Sequence, residues 1–337
     1  EIREAEFFDE IGIWPGLKLR AELDPVKAHL YCLGLPLGQA LGRLGVSALL
    51  PEHLAGCTVS DIRRLKPEAP VRVTQCGSLG EPGVGNNSWI IELTGESREK
   101  MLASEESVAR AIKNDNAWIG RRRPHIAARP NMSAITGIDN RKPVPPYFPI
   151  QRGEDRMFGI MLAALLPDAV ALDYPWAVPH LPMMDRARGS GTTSFSGSRP
   201  FPALFAGWVE ARLQGPAALH SARGFGDIAR AATELSEMEL PDLTELHLDY
   251  QAQMACKDLE DLQAASRLTE NAPDAWRAFV KDGINRVDGE FRQELASQAG
   301  QSGSERTGIT EKDIETWKLR WKDFGQACWN WQDISRR

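Results

Sequence analysis

The sequence predicts an α/β protein in which a mixed α/β domain is followed by a small α-helical domain. Residues 1–215 are rich in proline and glycine and alternate short apolar runs with polar turns, as in a mixed α/β domain. From residue 216 onward the chain is rich in Ala, Leu, Glu, Gln and Lys, which favour helices. The balance of basic and acidic residues also changes at residue 215. Residues 1–215 carry 25 Lys and Arg against 24 Asp and Glu, whereas residues 216–337 carry 15 against 22.

The first elements follow from hydrophobic periodicity and from glycine. Residues 71–74 and 89–93 are short β-branched and apolar runs, and we expect both to be strands. The segment between them, residues 77–85, is so rich in glycine that a loop is expected. Residues 97–112 place apolar side chains at helical spacing, which predicts a single helix.

The middle of the chain repeats the alternation of helix and strand. Apolar residues recur at helical spacing from Met157 to Leu165 and stop before Pro167, which predicts a helix. Residues 169–172 follow as a short apolar run and predict a strand. Residues 186–202 contain a run of glycine, serine and threonine, and we expect a mobile loop there.

The final helix has the clearest pattern in the chain. Thr310 and Asp313 form an approximate capping box at its start. An apolar stripe at alternating steps of three and four predicts a buried face, for which a helix at residues 242–268 is the expected partner. Another helix is expected from Pro273, and residues 298–308 are expected to be a linker. The stripe consists of Ile314, Trp317, Trp321, Phe324 and Cys328.

Composition limits the class of protein. No stretch approaches the roughly 18 to 20 uninterrupted apolar residues of a membrane-spanning helix, so a soluble, cytoplasmic protein is expected. The five cysteines are widely spaced without a Cys-x-x-Cys pair, which favours reduced thiols over disulfides or a thiolate zinc site. The acidic second half does not favour nucleic-acid binding, because such affinity depends on neutralising phosphates.

One stretch concentrates the residues that suit catalysis. The proline-rich segment at residues 144–149 is stiff, and it is expected to present Tyr147 and Phe148 as exposed rings. Arg152, Glu154, Asp155 and Arg156 follow around Gly153 at the start of the predicted helix. A carboxylate at a helix start can accept a proton as a general base. The plainer interpretation is that both carboxylates cap the helix and pair with the two arginines.

His180 follows Pro179 and ends this stretch. The whole arrangement resembles the acceptor side of GT-A glycosyltransferases of the family 2 type, and the likeness covers about a third of the chain. It implies Asp155 as the base and Glu154 as a second catalytic carboxylate contacting acceptor hydroxyls. It also implies that Arg152, Tyr147, Phe148 and Arg156 bind substrate and that His180 ligates a divalent metal, Mn²⁺ or Mg²⁺. The partners would be a nucleotide-sugar donor and a carbohydrate or glycoconjugate acceptor.

The sequence departs from this family on the donor side. No Asp-x-Asp motif occurs in the chain, and the first fifty residues do not alternate strands and helices. Because the chain begins with Glu1 rather than methionine, we expect the donor-binding half to precede it. A basic cluster, made of residues 121–123, Arg129, Arg141, Lys142 and Arg152, suits either a diphosphate or a solvated surface.

Two other classes of function remain open at the level of sequence. The aromatic segment and the arginines could belong to a non-catalytic module that binds carbohydrate or protein. A phosphate-ester hydrolase that uses Asp155 and His180 around a metal is the third possibility. Asp155→Asn separates the two enzymes from the binding module, because only an enzyme loses its defining activity when a catalytic carboxylate is neutralised.

Overall fold

The computed structural model describes most of the chain. It covers residues 4–7, 24–54, 57, 59–80, 90–91, 93, 95–113, 117–120, 124–127, 130, 135–149, 154–180, 201–214, 224–267, 272–298 and 310–334. Within these ranges the protein is a mixed α/β fold with one sheet, in agreement with the predicted class. None of the described helices combines the length and the apolar character needed to cross a membrane.

The sheet has six strands within the described residues. They are β1 (Glu4–Phe7), β2 (Val71–Gly80), β3 (Ala117–Gly120), β4 (His125–Ala127), β5 (Thr136–Ile138) and β6 (Val170–His180). The order is β1-β3-β2-β6-β4, and β5 pairs with β2 beside β3. The central pair β2 and β6 is parallel, while all other pairs are antiparallel. Hydrophobic clusters cover both faces of this central pair, as expected for parallel strands.

The two central strands are longer than their sequence patterns predicted. The strand expected at residues 71–74 is confirmed, and it continues through Gly77 to Gly80, where a loop was expected. Glycine is tolerated here because β6 pairs with this stretch on one side and β3 on the other, so pairing fixes the extended backbone. The strand expected at residues 169–172 is likewise confirmed and extends to His180.

The strand expected at residues 89–93 is wrong. Ile90 and Ile91 are helical, and Ile90 and Leu93 are both buried. Both side chains join a hydrophobic cluster with Met101 and Val108. A short apolar run suits either structure, and here packing decides for the helix.

Besides the helical residues Ile90 and Ile91, eleven α-helices and one 3₁₀ turn lie within the described residues. The first part of the chain contributes α1 (Pro25–Leu30), α2 (Leu37–Arg43), the 3₁₀ turn Pro51–Leu54, α3 (Val59–Arg64), α4 (Gly95–Met101), α5 (Glu105–Lys113), α6 (Glu154–Leu165) and α7 (Phe201–Gln214). The last part contributes α8 (Phe225–Glu237), α9 (Leu240–Arg267), α10 (Asp274–Gln298) and α11 (Glu311–Ile334). The helices expected at residues 157–165, 242–268 and from Pro273 are confirmed.

The helix expected at residues 97–112 is divided into α4 and α5. The Ser104 hydroxyl accepts a hydrogen bond from the Ser107 N–H at 3.1 Å, which caps the start of α5. This local bond competes with continuation of the preceding helix. The loop expected at residues 186–202 lies outside the described residues, except that Phe201 and Pro202 begin α7. The expected linker at residues 298–308 also lies outside them from residue 299.

The C-terminal helix α11 forms as predicted. The Asp313 N–H donates to the Thr310 hydroxyl at 3.1 Å, and the Thr310 N–H donates to the Asp313 carboxylate at 3.1 Å. All five residues of the apolar stripe are buried. The main partners of this face are α8 and α7 rather than the longer α9. At Gly325 the backbone of α11 comes so close to α8 that an added Cβ would lie 3.1 Å from the Ala229 carbonyl oxygen.

The hydrophobic clusters cross the boundary predicted at residue 215. One cluster joins α6, α7, α8 and α11 with Phe148, and a second joins α4 and α5 with α9 and α10. The change in composition therefore does not coincide with a break in the core. The sheet is covered on one face by Phe158 and Leu162 of α6, and on the other by Cys32 and Leu37.

Candidate functional site

The candidate site forms at the start of α6. Residues Met157 to Leu162 of this helix are all buried, so the sheet and the neighbouring helices hold it from several sides. An added Cβ at Gly159 would lie 2.1 Å from the carbonyl oxygen of Pro130, so only glycine allows this close approach. Glu154 and Asp155 stand in the first turn, where the helix dipole favours negative charge.

The two aromatic residues of the preceding segment face different surroundings. Tyr147 is 43% exposed, and its ring stacks on that of Phe158 with centroids 4.3 Å apart and planes within 4°. Phe148 is only 4% exposed and lies among Phe205, Trp317 and Phe324, at centroid distances of 5.3, 6.2 and 5.0 Å. The exposed ring expected at Phe148 is therefore not found, because neighbours in an extended segment point to opposite sides. A buried ring offers no face to a sugar.

Tyr147 and the two carboxylates come together. Burial, and then the negative charges of Asp155 and Glu154, raise the pKa of the Tyr147 hydroxyl. Glu154 Oε2 is buried and has no hydrogen-bond partner within the described part of the chain. A buried carboxylate oxygen without a donor among the described residues is uncommon in a folded protein.

The structure describes only one of the two arginines that flank the carboxylates in sequence. Arg156 forms an ion pair with Glu210 of α7 at 3.0 Å, which links α6 to α7. It therefore has a protein partner outside the pair of carboxylates. Arg152 lies outside the described residues, and its role in substrate binding stays a prediction.

His180 is the last residue of β6 and lies opposite Gly80 of β2. Its side chain is outside the described part of the structure, so its role as a metal ligand also stays a prediction. Among the described residues, no group of three or more His, Cys, Asp and Glu side chains could hold a metal ion. These residues do not assemble the ligand set that the resemblance to GT-A enzymes implies.

A row of polar residues that the sequence did not predict crosses the middle of the sheet. Strand pairing places Gln75 opposite both Thr136 and Asp173, and Asp173 opposite His125. Gln75 and Asp173 are buried, and each stands two residues beyond an apolar residue that packs on Phe158. Because side chains alternate along strands, the row lies on the face covered by α6. Polar residues inside apolar strand runs were the available signal in the sequence.

A second polar group surrounds Asp139, at the end of β5. Its carboxylate accepts hydrogen bonds from the Arg72 guanidinium at 2.7 Å and from Arg141 at 2.8 Å. The hydrogen bond from Arg141 lowers the pKa of Asp139 most, burial opposes it, and the charge of Arg72 adds to the lowering. Arg141 also donates to the Gly34 carbonyl at 2.5 Å. Arg141, expected in a phosphate-binding cluster, therefore joins the end of β5 to the loop before α2.

A buried histidine lies on the opposite face of the sheet from α6. The Nδ1 atom of His29 lies 2.9 Å from the Thr74 hydroxyl. The ring contacts Tyr174 and Trp176 edge-on, at centroid distances of 5.8 and 5.0 Å. Burial lowers the pKa of this histidine. His29 is therefore a neutral core histidine that connects α1 to β2.

Comparison of the chain with protein-family models, with curated proteins and with solved structures gave no match. The geometry of the site itself is therefore the basis for a candidate function. Its components are an exposed ring stacked on a buried one and two carboxylates in the first turn of a helix.

Proposed function

We propose that the protein is a glycosyltransferase that moves a sugar from a nucleotide diphosphate sugar to a hydroxyl group of a carbohydrate acceptor. The observation that carries the proposal is the half-exposed ring of Tyr147, held flat on Phe158 beside Glu154 and Asp155. Sugar rings pack their apolar faces on aromatic side chains, and their hydroxyl groups donate hydrogen bonds to carboxylates. This combination suits an acceptor sugar better than an apolar ligand.

The chemistry needs one carboxylate as a base. Asp155 accepts the proton of the acceptor hydroxyl while the hydroxyl oxygen forms a bond to the anomeric carbon of the donor sugar. The bond between that carbon and the diphosphate breaks, and the nucleoside diphosphate leaves with the electron pair. Attack from the face opposite the leaving group inverts the anomeric centre.

Glu154 has a different role in this proposal. Its buried Oε2 accepts a hydrogen bond from a second hydroxyl of the acceptor, which satisfies an atom that has no partner among the described residues. Tyr147 then supports the apolar face of the same sugar. Together the two contacts orient the reacting hydroxyl, and correct orientation is a large part of catalysis.

The resemblance to GT-A enzymes also implies a divalent metal on the donor diphosphate. The described residues do not provide a fitting group of ligands, and no step above depends on one. His180 remains the proposed ligand from sequence.

The test uses the full chain with a panel of nucleotide sugars, Mn²⁺ or Mg²⁺, and a panel of free saccharides. Release of nucleoside diphosphate measures transfer. Asp155→Asn is expected to reduce the rate by about 100-fold or more, which is the typical contribution of a general base. Asp168→Asn is the matched control, because Asp168 is exposed just beyond α6 and pairs with Lys66. Unimpaired transfer in folded Asp155→Asn removes Asp155 from the mechanism.

The same observation favours a second function, a carbohydrate-binding module without catalysis, because a stacked exposed ring is sufficient to bind a sugar. The two functions predict different results for Asp155→Asn. In a binding module, Tyr147→Ala abolishes binding of the saccharide and Asp155→Asn leaves it intact. In the enzyme, Asp155→Asn binds the acceptor and fails to transfer.

A further inference from the structure

The C-terminal helix α11 holds the segment that carries Tyr147. The indole N–H of Trp331 donates a hydrogen bond to the Val144 carbonyl at 2.8 Å, across 187 positions of sequence. Four residues after Val144, the ring of Phe148 packs against Trp317 and Phe324 of the same helix. The segment is therefore attached to α11 on both sides of Tyr147.

The residues between these two attachments are stiff. Pro145 and Pro146 fix their own backbone φ angles and restrict the residues before them. With the carbonyl of Val144 and the ring of Phe148 both fixed, little freedom remains for the backbone of Tyr147. The Tyr147 ring is then fixed in parallel contact with Phe158.

We propose that Trp331 is a positioning residue for the acceptor site, acting through the Val144 carbonyl on the ring of Tyr147. This inference rests on the proposed function. The acidic C-terminal part of the chain is in this view a component of the site rather than a separate appendage. Trp331 itself does not contact the sugar.

A purely structural role for Trp331 predicts a different result. Its ring is partly buried against the aromatic cluster of α6, α7, α8 and α11, so its removal would lower stability in any case. Trp331→Phe keeps an apolar ring and removes the N–H donor, which isolates the hydrogen bond. Trp329→Phe is the matched control. Trp329 lies two positions earlier in α11, is 44% exposed, and packs near Gly226 of α8.

The first measurement does not depend on activity. In protein with labelled tyrosine rings, the NMR signals of Tyr147 are assigned by their loss in Tyr147→Phe. Stacking at 4.3 Å places these signals within the ring current of Phe158. We expect them to move toward free-tyrosine values in Trp331→Phe and to stay in place in Trp329→Phe. Unchanged signals in folded Trp331→Phe overturn the proposal. Trp331→Leu replaces this variant if circular dichroism shows that the phenylalanine protein is unfolded.

The second measurement is kinetic. Loss of one hydrogen bond that orders the site is expected to raise the acceptor KM about threefold to tenfold, with kcat changed less than twofold. An unchanged KM in Trp331→Phe, with shifted Tyr147 signals, overturns the functional part of the inference. If the unmodified protein transfers no sugar, the proposed function fails, and the NMR result alone then decides whether Trp331 positions Tyr147.

Discussion

Asp139 and Glu154 are both acidic side chains, but they differ in their hydrogen-bond partners. The Asp139 carboxylate accepts hydrogen bonds from Arg72 and Arg141 and is almost fully buried. Glu154 has a buried oxygen that no described residue satisfies, and the half-exposed ring of Tyr147 lies beside it. Folding pairs the first charge with two arginines, whereas no described residue donates a hydrogen bond to the buried oxygen of the second.

This difference distinguishes a structural carboxylate from a candidate functional one. A buried polar group with all of its partners in place holds elements together, and at Asp139 these are β2, the end of β5 and the loop before α2. A polar group that lacks a partner costs stability unless something binds to it. Local sequence does not distinguish the two cases, since both acids have an arginine two residues away.

The largest expected effect comes from Asp139→Asn, which tests the structural side of the comparison. This change leaves the Arg72 guanidinium buried without its opposite charge. Loss of one partner of a buried ion pair costs about 3–5 kcal/mol of unfolding free energy. Urea unfolding measures this loss of unfolding free energy. Asp168→Asn is the control, because the Asp168 side chain is 75% exposed. This control is expected to change stability by less than about 1 kcal/mol. Equal effects of the two variants would contradict the comparison.

Tyr147 and Phe148 allow a second test, because they are neighbours in sequence with opposite burial. Phe148→Ala is expected to cost about 3–5 kcal/mol, since it opens a cavity among Phe205, Trp317 and Phe324. Tyr147→Ala is expected to cost about 1 kcal/mol or less, because half of its ring is already exposed, and to abolish saccharide binding. Urea unfolding and a binding titration check both. A larger loss of unfolding free energy in Tyr147→Ala than in Phe148→Ala would contradict the burial of the two rings.

The third prediction concerns pH and His29. Burial lowers the pKa of His29 below the ordinary value of 6.5, so the unfolded chain binds a proton more readily than the folded protein. Stability from this residue is therefore present above pH 6.5 and is lost as pH falls through the interval below it. The unfolding free energy is expected to fall from pH 7 to pH 5, and this fall is expected to disappear in His29→Gln. If the unfolding free energy of His29→Gln still falls between pH 7 and pH 5, groups other than His29 cause the pH dependence.

The smallest expected change in stability comes from Glu154→Gln. Its buried oxygen has no donor to lose within the described residues, so the unfolding free energy is expected to change by about 0.5 kcal/mol or less. The acceptor is expected to bind more weakly, because an amide is a poorer acceptor than a carboxylate. Thermal unfolding and acceptor KM check the two parts. A loss of stability comparable to that of Asp139→Asn would make Glu154 a structural residue.

The sequence by itself determined the elements whose causes are local. The capping pair at Thr310 and Asp313, the apolar stripe of α11 and the acidic first turn of α6 all depend on residues within a few positions. The cores of β2 and β6 were also predictable, because their apolar runs are continuous. The resemblance of the stretch from Pro145 to His180 to a known family predicts catalytic roles for its residues, and those roles stay predictions.

Tertiary structure decided whatever depends on distant partners. It buried Phe148, exposed Tyr147, turned residues 90–91 into a helix and brought Trp331 to Val144. It also aligned Gln75 and Asp173 across β2 and β6, and joined Arg141 to Asp139 and Gly34. The physical reason is that local spacing fixes the direction of a side chain relative to its own helix or strand. Its burial depends on which element, often more than a hundred residues away, packs on that side.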